Sequence, residues 1–252
     1  MDLGLQGSRA LVTGGSKGIG RAIALMLAEE GCDVAVCARG EAAVAETVGD
    51  IEARGVRARG RALDVTDTPA LTGWIGDVAG DFGGLDIVIA NVSALAGGAE
   101  VTDWQQGFDI DVMATVHTVE AARPHLLASP QGAIVAIASV SAAEATHVRA
   151  YTSHKAALIA YVSGLSRELA GAGVRANTVS PGTIYFEGGV WQQREQQAPE
   201  QYRQALARNP TGRMGTPEEV ASAAVFLASP RAGFVSGANM VVDGALTVRI
   251  QY

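Results

Sequence analysis

Short runs, most of them almost uniformly apolar, recur along the chain at 10–12, 34–36, 87–89, 133–137 and 174–179, with a last one at 240–242. A strand that faces solvent on one side alternates apolar and polar residues. Most of these runs do not alternate, which is the pattern of parallel strands covered on both faces. Between them lie longer stretches predicted to be helices, at about 19–30, 41–54, 69–82, 104–127 and 151–170. Strand and helix in alternation with short joins predict an α/β protein: a doubly wound, Rossmann-like parallel sheet with helices on both faces. Right-handed crossovers then bring the C-terminal ends of the strands to one edge, where ligands bind. The rhythm breaks once, at about 183–212. This Gln-rich stretch carries Tyr185, Phe186, Trp191 and Tyr202 in a chain with only 3 Trp, 5 Tyr and 5 Phe. After it, Pro217-Glu218-Glu219 has the proline and early carboxylates of a helix start. Residues 1–252 are therefore expected to form a single domain with a substrate-lid insertion at about 183–212.

Composition sharpens this picture in three ways. The chain has 252 residues with 31 Gly, well above the usual ~7%, so tight turns and close backbone approaches are expected. Its net charge of −7 repels a phosphate polymer, which disfavours nucleic acid as a partner and means that any bound phosphate needs a local site. Cys32 and Cys37 are the only cysteines, too few for a disulfide framework, and are expected to be buried free thiols. No metal site is expected. No apolar run approaches a membrane span and no secretory leader is evident, so the protein is expected to be soluble and cytoplasmic. The cluster Arg54, Arg57, Arg59 and Arg61 reads as a solvated helix end and loop.

The first strand runs into Thr13-Gly14-Gly15-Ser16-Lys17-Gly18-Ile19-Gly20, where a helix begins. Glycines allow positive φ and close approach of a ligand, and a helix N-terminus offers unpaired N–H groups that suit a pyrophosphate. The spacing differs from Gly-x-Gly-x-x-Gly, so position after the first strand carries the assignment. At the end of the second strand, a carboxylate would bind ribose hydroxyls and select NAD. Ala38 stands there instead, followed by Arg39. Arginine accommodates a 2′-phosphate, and Lys17 can add a second positive charge, so NADP(H) is expected over NAD.

Tyr151 and Lys155 are four apart at the start of a predicted helix, which puts them on one face. A phenol is a poor base at neutral pH, and a neighbouring ammonium favours its phenolate. Such a pair can move a proton to a ketone or from an alcohol. Ser139, at the end of the preceding strand, is the expected hydroxyl to hold the reacting oxygen, with Ser141 as a rival.

With these residues in place, the chain resembles the short, single-domain branch of the short-chain dehydrogenase/reductases, most closely the 3-oxoacyl-acyl-carrier-protein reductase-like members. The resemblance rests on Thr13-Gly14-x-x-x-Gly18-Ile19-Gly20, Asp64-Val65, Asn91, Ser139, Tyr151-x-x-x-Lys155, Asn177 and Pro181-Gly182. Arg213-Met214-Gly215-Thr216-Pro217-Glu218-Glu219 and Val242-Asp243-Gly244 extend it to nearly the whole chain. It implies that Gly14, Ser16, Lys17, Gly18 and Ile19 line the cofactor phosphates and ribose, and that Asp64 and Val65 meet the adenine. It implies Asn91 beside the cofactor ribose and Pro181, Gly182 and Ile184 at the nicotinamide end. Ser139, Tyr151 and Lys155 would be the catalytic group, with Tyr151 and Lys155 also contacting the cofactor. The resemblance further implies a homo-oligomer, a tetramer or dimer.

The chain departs from the family pattern at several positions. Asp111 replaces a usual asparagine, the fourth catalytic member, and brings a charge toward Lys155. Ala90-Asn91-Val92-Ser93 replaces Asn-Asn-Ala-Gly, and Phe186 replaces a threonine that bonds the cofactor carboxamide. His154 reads as a plain helix-face partner, while Glu144 and His147 lie where substrate contacts arise. The expected activity is interconversion of a secondary alcohol and a ketone, with a 3-oxoacyl thioester or another small or medium carbonyl compound as substrate. The alternative is a cofactor-binding regulatory or structural subunit with weakened chemistry.

Overall fold

The computed structural model describes residues 2–95, 98–144 and 148–248. Seven strands form one parallel sheet in the order β3-β2-β1-β4-β5-β6-β7. They are β1 (Arg9–Thr13), β2 (Asp33–Ala38), β3 (Ala58–Ala62), β4 (Ile87–Ala90), β5 (Ala133–Ile137), β6 (Arg175–Pro181) and β7 (Asn239–Val242). The helices are α1 (Gly18–Glu29), α2 (Glu41–Glu52), α3 (Thr68–Phe82), α4 (Val101–Gly107), α5 (Ala114–Ala128), α6 (Ala150–Leu169), α7 (Val190–Gln197), α8 (Pro199–Ala207) and α9 (Pro217–Ala228).

The apolarity of the central strands has a direct structural counterpart. In β1, Ala10 and Val12 join the core beneath α1, α2 and α9, while Leu11 joins the opposite core beneath α3, α5 and α6. Adjacent residues point to opposite faces, and both faces are covered. β1 pairs with β2 on one side and with β4 on the other. The strand order therefore reverses there, and the C-terminal ends of β1 and β4 open a crevice, the usual ligand position in such sheets.

Two sequence expectations need correction. The arginine-rich stretch after α2 is strand β3, not a loop. Only Ala58 of that strand is buried, because an edge strand needs no apolar run. Its arginines pair with acids: Arg57 with Asp33 at 2.8 Å, Arg59 with Asp81 at 2.8 Å and Arg61 with Asp77 at 3.5 Å. The helix expected at 104–127 begins earlier, at Val101, and is interrupted by a wide turn at Phe108–Met113. There Ala114 N–H donates to the Asp109 carbonyl, five residues back, the bond of a π-helix. Among the described residues, no helix is long and apolar enough to cross a membrane. None of the His, Cys, Asp and Glu among them form a cluster suited to a metal ion.

Candidate active site

The glycine turn joins β1 to α1 and is held from the neighbouring strand. Asn91, just past β4, donates from its side-chain amide to the Gly14 carbonyl at 3.1 Å. Its own N–H donates to Thr13 Oγ1 at 3.2 Å. Gly14 and Gly18 have φ of +65° and +52°, in the left-handed region that glycine tolerates. A Cβ on Gly20 would collide with the Gly14 carbonyl and the Asn91 amide. The first turn of α1 has no side-chain cap and no acidic residue, so its N–H groups are left for an anion. Lys17 and Arg39 are both exposed at this end of the crevice. Asp64 is exposed and held below the usual carboxylate range, first by bonds from Thr66 and then by the charge of Arg39. Val65 is buried beside it.

The opposite end of the crevice is built on β5 and α6. Ser139 follows β5 and is buried, its Oγ accepting from Ser141 N–H at 3.1 Å. Tyr151 and Lys155 lie on the first turns of α6. Lys155 is only 2% exposed, with Nζ donating to the Ile137 carbonyl at 3.0 Å and 5.8 Å from the Tyr151 ring centroid. Asp111, presented by the wide turn, sets Oδ1 2.9 Å from that Nζ. The approach is too oblique for an aligned hydrogen bond, so the contact is an ion pair. The other Asp111 oxygen accepts from Ala94 N–H at 3.0 Å, tying the segment after β4 to the lysine. A buried ammonium is costly unless matched, and here a carboxylate and a carbonyl match it.

Next to this pair, His154 is buried edge-on against Trp104, with ring centroids 5.5 Å apart. Its Nδ1 has no hydrogen-bond partner among the described residues and lies over Gly107, where a Cβ would meet it at 2.5 Å. Desolvation holds its pKa below the ordinary value; Asp111 opposes that shift and Lys155 adds to it.

Above these residues is a cleft of about 370 Å³ lined by Ser139, Ser141, Tyr151, Gly182 and Trp191. Helices α7 and α8 lie within the stretch expected to form a lid. Tyr185 donates its hydroxyl to Glu195 at 2.5 Å and meets Tyr202 edge-on, centroids 6.2 Å apart. Phe186 packs over the glycine turn: a Cβ on Gly18 would meet the ring at 2.6 Å.

The other sequence candidates divide between cleft and framework. Pro181 ends β6, and Gly182 lines the cleft. Ser16 and Ile19 are half-buried in the turn and at the start of α1. The Ile184 side chain packs into the core, against Gly215. Asn177 bonds Val235 and Ala238, fixing the approach to β7. Thr216 and Glu219 form a capping box on α9, with Arg213 bound to Glu219 at 2.6 Å. Cys32 and Cys37 are buried free thiols, each pushed up to about 12 chiefly by desolvation, and are therefore inert as nucleophiles. Glu144 lines the cleft, while His147 lies outside the described residues. Sequence reasoning did not single out Arg149, Arg194 and Arg208, which also line the cleft. They come from three separate segments and share no periodicity.

A uniformly parallel sheet, a glycine turn at its switch point and a cleft lined by a tyrosine with a buried lysine beneath it define a nucleotide-dependent oxidoreductase architecture. The family profile described as Enoyl-(Acyl carrier protein) reductase matches residues 14–247. The isoepoxydon dehydrogenase patN of Penicillium expansum is 38% identical over 257 residues, covering 99% of this chain and 98% of that one. The 3-oxoacyl-acyl-carrier-protein reductase FabG of Vibrio cholerae is 32% identical over 249 residues, covering 97% and 99%. A short-chain dehydrogenase from Burkholderia cenocepacia, solved in complex with NADP, superposes with a TM-score of 0.86 at 32% identity over 96% and 98% of the two chains. An NAD+-bound xylitol dehydrogenase superposes with a TM-score of 0.89 at 28% identity over 96% and 99%. The chain belongs to the short-chain dehydrogenase/reductase family. It is an NAD(P)-dependent enzyme of that family, acting on CH–OH and carbonyl groups.

Proposed function

We propose that the protein is an NADP(H)-dependent oxidoreductase that interconverts a secondary alcohol and the matching ketone, with Tyr151 as the proton carrier. The observation that carries this reading is that Ser139 and Tyr151 line one cleft directly above the buried Lys155. The residues at the other end suit a dinucleotide. The glycine turn, the uncapped start of α1 and the cations Lys17 and Arg39 fit its phosphates, and Asp64 and Val65 are proposed to meet the adenine. When bound, the dinucleotide supplies or accepts the hydride. Ser139 holds the substrate oxygen by its hydroxyl, and Tyr151 gives that oxygen a proton during reduction or removes one during oxidation. Lys155 keeps a positive charge beside the phenol, and Asp111 fixes the lysine's position. The stretch 183–212 covers the cleft as a lid and keeps water from the reacting carbon.

Tyr151→Phe removes only the hydroxyl. It is expected to lower kcat about a thousandfold while dinucleotide affinity, measured by fluorescence titration, stays near wild type. An unchanged kcat removes Tyr151 from the mechanism. The preference for NADP rests on Arg39 following Ala38 at the end of β2. Arg39→Asp is expected to weaken NADPH binding about tenfold or more and to improve NADH relative to it; unmoved NADPH affinity refutes the 2′-phosphate assignment.

The packing of Phe186 on Gly18 favours one second reading, a dinucleotide-binding subunit with weakened chemistry. NADPH binding without NADPH consumption across a broad panel of ketones and 3-oxoacyl thioesters would support that reading over the first.

A further inference from the structure

The arginines of this acidic chain are mostly neutralised. Among the described residues, ion pairs engage Arg9, Arg21, Arg54, Arg57, Arg59 and Arg61 in the β1–β3 half of the sheet and its helices. Others engage Arg123, Arg203 and Arg213. Three further arginines line the cleft that also holds Ser139 and Tyr151. Arg208 stands 3.9 Å from Glu144, the one carboxylate among the described residues of the cleft lining. Neither Arg149 nor Arg194 forms an ion pair with a described carboxylate. Arg149 is exposed immediately before α6, two positions from Tyr151. Arg194 is on α7, its guanidinium stacked 4.7 Å from the centroid of the Trp191 ring, and Trp191 lines the same cleft. Stacking restrains the planar group and leaves its N–H edge for an anion.

Resting on the oxidoreductase reading above, we infer that the substrate carries an anionic group, a carboxylate or phosphate apart from its carbonyl, and that Arg149 and Arg194 select for it. The two cations come from the two sides of the cleft, one from the segment before the catalytic helix and one from the roof. An anion between them draws the roof toward the floor. Arg208 has Glu144 as its neighbour at 3.9 Å, and the two guanidiniums without an ion pair to a described carboxylate receive the ligand. Guanidinium forms paired, charge-assisted bonds to carboxylate and phosphate alike, and both sources are tested.

The test compares matched substrates that differ only in charge. Wild type, Arg149→Gln and Arg194→Gln are assayed with NADPH on 3-oxo acids of four to ten carbons and on their ethyl esters. Acetoacetyl-CoA is compared with the acetoacetyl thioester of N-acetylcysteamine, which lacks the phosphates. Binding of each compound to the NADP-loaded protein is measured by calorimetry, so that the answer does not depend on turnover. In wild type the anionic member of a pair is expected to bind about tenfold or more tightly than its neutral counterpart. Each variant is expected to erase that preference while neutral esters keep their affinity. Preference for the free acids identifies a carboxylate, and preference for the CoA thioester alone identifies the carrier's phosphates. Equal binding of charged and neutral partners, equal losses for both in the variants, or no binding by any of the compounds overturns the inference. Binding of the anions without NADPH consumption leaves the anion selection standing and refutes the oxidoreductase reading instead.

Discussion

The floor and the roof of the cleft are built by opposite means. The floor, from β5, the wide turn and α6, is dry: Lys155, Asp111, Ser139 and His154 are all buried. The charges there are held by fixed partners. In the roof, α7 and α8 contain no buried residue, and the polar contacts are local ones such as Arg203 with Glu200 on α8. A fixed, dehydrated floor suits the part of the reaction common to any substrate, because preorganised charges act most strongly where water is absent. A wet roof with few long-range contacts opens at low cost and tolerates change. On the proposed mechanism the contrast puts the chemistry below the cleft and leaves selection to the exposed arginines at its edge and in its roof.

The contrast is sharpest at the buried ion pair. Asp111→Ala leaves the Lys155 ammonium buried without its counter-charge and is expected to destabilise the fold by about 3–5 kcal/mol in denaturant titrations. Asp111→Asn keeps the bond from Ala94 within reach of an acceptor oxygen, and a smaller loss is expected. If Asp111→Ala costs no more than a surface pair, the floor is not organised around that carboxylate.

His154 gives the floor a smaller, pH-dependent signature. Burial holds its pKa below the ordinary 6.5, so the unfolded chain takes up a proton in a range where the folded protein still resists it. Stability is therefore full above about pH 6.5 and falls as pH drops through that value toward the lower folded pKa. The wild-type Tm is expected to decline more steeply from pH 7 to 5 than that of His154→Leu, which has no imidazole to charge. Parallel profiles would mean that the ring is already charged or is well solvated in the fold.

The least consequential change belongs to the roof. Arg203 and Glu200 are both largely exposed and 2.7 Å apart, and Arg203→Ala is expected to cost under ~1 kcal/mol. A larger loss in thermal melts would show that the roof is anchored more firmly than its local contacts indicate.

The floor was also the more legible part in sequence. Apolar runs announced the parallel core strands, and Tyr151-x-x-x-Lys155 announced its helix face, because period and spacing are local properties. The β3 edge strand escaped, since its exposed arginines carry no apolar signal. The wide turn at Phe108–Met113 escaped because its residues suit an ordinary helix equally well; only the position of Asp111, not its direct contact with Lys155, was visible. The packing of Phe186 on Gly18 and the presence of Arg149 and Arg194 on one cleft depend on where the stretch 183–212 folds back. Nothing in the periodicity of those segments records that.

The wide turn makes the lysine's counter-charge depend on chain length as well as residue type. A helix with one such turn holds one residue more than a regular helix needs to span the same distance. Deleting a single residue there would give an unbroken helix whose segments on either side keep their facing, while the wide turn that presents the carboxylate is lost. The carboxylate would then swing out of register with the ammonium although every amino acid at the pair was retained. Tolerance to substitution and tolerance to deletion therefore part company at this point in the chain.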